Sequence, residues 1–142
     1  MSTTDTRKGA SKKKKDGLPE SVLRAVQAAR DKKAEDLQVL DLRALDSFTD
    51  FFVICSGQNV RQVQAIADSV EDGLRKEQVR PAHVEGFARA EWVLLDYFDF
   101  VVHVFNSQRR EFYALERLWG SAERAVLPED APRPARARAA RE

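Results

Sequence analysis

The stretch "EWVLLDYFDFVVHVF", residues 91–105, is an apolar run interrupted by Asp96, Asp99 and His103. It reads as two strands, about 92–96 and 100–105, with Tyr97 and Phe98 in the link between them. An aspartate at the first position of a β-turn can accept a backbone N–H through its own side chain. The three-residue spacing of Asp96 and Asp99 across a strand-to-strand link is such a signature. Strand alternation places Trp92 on the same face as Leu94 and Asp96.

Working outward, helical and strand patterns alternate. "LPESVLRAVQAARDKK" (18–33) opens with Pro19, a residue suited to a helix's first turn, and sets Val22, Val26 and Ala29 on one face. "DLQVLDLRAL" (36–45) and "DFFVICSG" (50–57) are short and apolar, as strands are. In "NVRQVQAIADSVEDGLRKEQ" (59–78), Asn59 can cap a helix whose Val60, Val63, Ile66, Ala67, Val70 and Leu74 recur at three- and four-residue spacing. "HVEGF" (83–87) reads as a short strand. "SQRREFYALERLWGSAE" (107–123) reads as a helix with Ser107 as cap, Phe112, Leu115 and Trp119 as its apolar stripe and Gly120 near its end. The order α-β-β-α-β-β-β-α predicts one α/β domain, a sheet with helices against it. The near-continuous apolar strands before the second helix suit a sheet covered on both faces.

The chain has 142 residues and a net charge of +1, unevenly spread. Residues 1–17 hold six basic side chains against two acidic ones, and 128–142 hold four arginines against three acidic residues. The stretch between, 18–127, is therefore at −4. An acidic body suits a basic partner surface, and basic arms, Lys12, Lys13, Lys14 and Lys15 above all, suit RNA phosphates. The two ends are poor in apolar side chains and are expected to be disordered tails, leaving 18–127 as the folded part. Cys55 is the only cysteine, which excludes an intrachain disulfide and suits a reducing cytoplasm. No apolar run approaches the roughly 20 residues of a membrane span, and no secretory signal is present. The Ser, Thr and Lys of the first fifteen residues leave an organelle transit peptide open.

The catalytic readings are weak. Asp96 and Asp99 would need a cleft and a set separation to share acid and base work. His103 would need a nucleophile. Cys55 is the one thiol for it, at the end of an apolar strand where free cysteine is usually core filling. His83 and His103 are the only histidines, and no metal-ligand spacing is present. "CSGQNVRQ" (55–62) places Gly57 between strand and helix, but one glycine does not make a phosphate loop. No cofactor is implied. Tyr97 and Phe98 are costly in a tight link, which favours Gly, Asn and Asp. With Trp92 they either fold onto the core or form an exposed patch of the kind that marks binding sites.

"SFTDFFVICSG", "HVEGFARAEWVLLDYFDFVVHVF" and "REFYALERLW" together resemble the ribosomal silencing factor family, RsfS, also called Iojap-like, over about residues 20–120. The resemblance implies a small α/β domain with a mixed sheet of about five strands. Its topology would be akin to nucleotidyltransferases without their catalytic acidic set, and "HVEGF" indeed supplies no D-x-D. It also implies a non-enzymatic repressor of translation, acting under nutrient limitation or in stationary phase. Such a repressor binds the large ribosomal subunit through its ribosomal protein fourteen and sterically blocks the small subunit. By motif, Trp92 and Tyr97 are docking anchors, Asp96 a charge contact, and His103 a fourth site residue or a pin for the hairpin. Many members have glycine where Phe98 stands, so Phe98 predicts a wider link. Two other readings stay open: a divergent nucleotidyltransferase using Asp96, Asp99 and Glu85, and a general RNA-binding module using the lysine run. A free sheet edge could also join two copies as a homodimer.

Overall fold

The computed structural model describes residues 17–45, 47–107, 123–125 and 127. The lysine run, both predicted tails apart from Gly17, and nearly all of the predicted 107–123 helix lie outside them.

Helix α1 (Glu20–Asp31) follows Pro19 and turns Val22, Ala25, Val26, Ala28 and Ala29 inward. Strand β1 (Glu35–Asp41) leads to a single 3₁₀ turn (Arg43–Leu45), then to β2 (Phe51–Gly57), buried along its whole length. Helix α2 (Val60–Arg75) is capped as its sequence predicts: Asn59 Oδ1 accepts the Gln62 N–H at 2.9 Å. Of its apolar stripe, Val60 alone is exposed, because it stands in the first turn, beside the cap rather than over the sheet. Strands β3 (His83–Glu85), β4 (Trp92–Asp96) and β5 (Phe100–Asn106) follow.

A sixth strand, β6 (Glu123–Arg124), was not expected; it pairs with Leu40 and Asp41 of β1. Glu123 is therefore strand, not the end of a helix. The sheet is mixed, in the order β3-β4-β5-β2-β1-β6. β2 and β5 run parallel at its centre, and the other neighbours are antiparallel.

Pleating divides the sheet into two faces. On one, Val39, Phe51, Val53, Cys55, Val93, Leu95, Val102 and Val104 pack with the inward sides of α1 and α2. On the other, Leu40, Leu42, Phe52, Ile54, Val101 and Phe105 form a second cluster, with Trp92 and Leu94 at its margin. Neither α1 nor α2 contributes to that second cluster. Two glycines shape the connections. A Cβ on Gly57 would meet the Val63 backbone nitrogen at 3.0 Å, so β2 runs tightly into α2. Gly86 has φ +79°, and a Cβ there would collide with the Trp92 carbonyl oxygen.

The β4–β5 link is not widened by Phe98. It is three residues long, and Phe98 itself takes φ +71°. Three bonds hold it there. Asp96 Oδ1 accepts the Phe98 N–H at 2.9 Å, Asp99 N–H donates to the Tyr97 carbonyl at 2.8 Å, and Thr49 Oγ1 donates to the Phe98 carbonyl at 2.8 Å. The middle bond spans two residues and makes a γ-turn of the strained, positive-φ kind.

Candidate docking surface

The β4 residues Trp92, Leu94 and Asp96 are half-buried, and they alternate with buried Val93 and Leu95. Directly opposite residues of an antiparallel pair share a face. The register sets His83 against Asp96 and Glu85 against Leu94, so β3 adds two exposed polar side chains to the same face. His83 Nε2 and Glu85 Oε2 lie 2.5 Å apart. The result is an accessible strip on the face that α1 and α2 do not cover. Trp92 and Leu94 are its apolar part, and Glu85 and Asp96 give it acidic edges. Sequence reasoning put Trp92 and Asp96 together but did not join His83 or Glu85 to them as docking residues; Glu85 was named only in the nucleotidyltransferase reading. The signal was present in the two-residue spacing of "HVE" before a tight glycine, but only the pairing register joins it to β4.

Trp92 is fixed from below. Its Nε1–H donates to His103 Nδ1 at 3.0 Å, and its ring lies 5.2 Å from Phe105. His103 in turn meets the Phe52 ring edge-on at 4.6 Å. Because Nδ1 accepts, the proton of the neutral imidazole is on Nε2. That Nε2 has no hydrogen-bond partner among the described residues. His103 is 4% exposed, and burial pushes its pKa down to about 4. It is thus a neutral pin for the indole.

Tyr97 is not an exposed anchor. It is 6% exposed, on the helix side of the sheet, stacked on Phe100 at 4.9 Å. Burial raises the pKa of its hydroxyl, with Glu71 adding to the effect, and the hydroxyl has no partner among the described residues. The aromatic left in solvent is its neighbour Phe98. A chain that turns at φ +71° sends Tyr97 into the core and Phe98 outward.

The Cys55–His103 pair of the catalytic readings is not assembled. Cys55 packs on the helix face and His103 on the other, as their register dictates: Ile54, not Cys55, is opposite His103. Asp96 serves the turn, Asp99 is exposed beyond it, and Glu85 is engaged with His83. Among the described residues, no group of three or more His, Cys, Asp or Glu is placed to hold a metal ion. No helix among them is long and apolar enough to cross a membrane.

Comparison with known proteins gives a consistent set of relatives. The model of the family described as "Ribosomal silencing factor during starvation" matches residues 15–142. Ribosomal silencing factor RsfS of Bacillus subtilis is 44% identical over 103 residues, which is 72% of this chain and 87% of that protein. RsfS of Halalkalibacterium halodurans is 43% identical over 98 residues, 69% of this chain and 84% of its own length. A crystal structure from Bacillus halodurans superposes with a TM-score of 0.69 at 40% identity, covering 76% of this chain and 98% of the other.

Proposed function

The chain belongs to the ribosomal silencing factor family, and from that premise we propose that it represses translation by occlusion rather than by catalysis. It docks on the large ribosomal subunit through that subunit's ribosomal protein fourteen and keeps the small subunit from joining, under nutrient limitation or in stationary phase. The observation that carries this reading is the half-open strip of Trp92, Leu94, Asp96 and Glu85 on the sheet face that α1 and α2 leave uncovered. An indole in such a strip is the residue type most enriched at binding hot spots. Acidic edges match a basic ribosomal-protein surface and disfavour phosphate. His103 acts through Trp92: it holds the indole in one orientation, which lowers the ordering cost of docking. Tyr97 supports the hairpin from within the core.

The test is a subunit-joining assay with purified large and small subunits, together with co-sedimentation. The protein is expected to migrate with large subunits and to lower the yield of joined ribosomes. Trp92→Ala should weaken large-subunit binding about tenfold. Asp96→Asn keeps the oxygen that accepts the Phe98 N–H and removes only the charge, so it should weaken binding by roughly fivefold without changing stability. Undiminished subunit joining at saturating protein would sink the reading.

A further inference from the structure

Two phenylalanine rings stand in solvent at the Phe98 end of the sheet: Phe48 is 74% exposed and Phe98 72%. They lie on separate loops that are fastened together. Thr49 Oγ1 donates to the Phe98 carbonyl at 2.8 Å, and Asp50 N–H donates to the Asp99 carbonyl at 3.0 Å. Phe48 also lies 6.1 Å from Phe52, which meets His103, the residue that holds Trp92. A line of ring contacts therefore connects this end of the sheet to the Trp92 strip.

Fold stability does not account for Phe98. Its ring adds little to the core at that exposure, and its backbone has a φ of +71°, which glycine adopts without strain. A large apolar side chain kept exposed on a strained backbone points to use outside the fold. Its chain neighbours Asp99, exposed, and Asp96, half-buried, flank it with carboxylates, and Asp50, exposed and joined to Asp99 through the backbone, adds a third that also faces Arg43.

We propose that Phe48 and Phe98 form a second contact of the docking surface, inserting into an apolar recess of a protein surface rimmed by lysine or arginine. The acidic flank selects cationic protein over nucleic acid, whose phosphates it would repel. The inference rests on the reading of the chain as a large-subunit binder and names further residues of that binding surface.

Phe98→Gly separates this role from a structural one, because the two move in opposite directions. In the full chain, Phe98→Gly should raise the thermal midpoint by roughly a few degrees, since glycine relieves the positive φ. It should nevertheless weaken binding to purified large subunits about tenfold. Phe48→Ser should weaken binding to a similar degree with little change in the midpoint. Neither variant should alter binding to deproteinised large-subunit RNA. If the parent binds large subunits and both variants bind equally well, this proposal is overturned and the docking reading stands. If the losses recur on bare RNA, the occupant is nucleic acid and the proposal is overturned as well. A parent chain that does not bind large subunits overturns the docking reading, and this one with it.

Discussion

His103 shows how a residue that looks catalytic can be explained by its surroundings. It is buried, neutral and bonded through Nδ1 to the Trp92 indole. With a folded pKa of about 4 against an ordinary 6.5, it takes up its proton more readily in the unfolded chain. Its contribution to stability is complete above pH 6.5 and is lost as pH falls from there toward 4. Between pH 7.5 and 5 the loss is about 2 kcal/mol. His103→Gln removes the titration and can still accept from the indole, so denaturant unfolding should show a pH dependence flatter by about that amount over this range. An unchanged slope would mean that His103 is not held neutral. The shared face of Trp92 and Asp96 was legible because strand alternation alone sets it. The directions of Tyr97 and Phe98 were not legible, because alternation stops at a turn. Which of two adjacent aromatics faces the core depends on one backbone angle, and the residue at that angle is one for which positive φ is unfavourable.

At the scale of elements, apolar periodicity carried most of the fold. Helices α1 and α2 and the two halves of "EWVLLDYFDFVVHVF" lie close to where the spacing put them. What periodicity could not reveal was β6, two exposed charged residues that are strand only through pairing with β1. It was also silent on how tightly elements approach, which two glycines bring out. Gly73 lies within α2, where an added Cβ would meet Ala28 Cβ at 3.5 Å and the Arg24 side chain at 3.7 Å, ordinary packing distances. Gly73→Ala should stabilise the protein by up to about 1 kcal/mol, the helix-propensity gain. Gly86 combines φ +79° with a clash against the Trp92 carbonyl, so Gly86→Ala should cost about 3 kcal/mol or more and disturb the β3–β4 hairpin that carries the proposed docking strip. Thermal unfolding of the two variants checks both. Equal shifts in the same direction would contradict the packing described for these glycines.

For the whole molecule, the question is whether recognition belongs to the sheet or to the basic arms. The segment 18–127 is acidic, and the opposing charge is concentrated before and after it. The family match begins at residue 15, so Lys12–Lys14 precede what the relatives share. An apolar strip with acidic edges supports short-range docking on protein, whose apolar part salt weakens little. Lysines on phosphate act at longer range and lose affinity as salt rises. The two contributions therefore separate in a salt titration. Removing residues 1–16 should lower large-subunit affinity only by roughly three- to tenfold at low salt. It should flatten the plot of log affinity against log salt by about 0.7 to 0.9 for each phosphate that the arm no longer neutralises. If the protein acts by occlusion through its folded body, as proposed, inhibition of subunit joining should persist once the truncated protein is saturating. Asp96→Asn in the same assay should show the converse, weaker binding with little change in RNA-type salt dependence. If truncation instead abolished binding while Asp96→Asn left it intact, recognition would belong to the arm and the protein would act as an RNA-binding module.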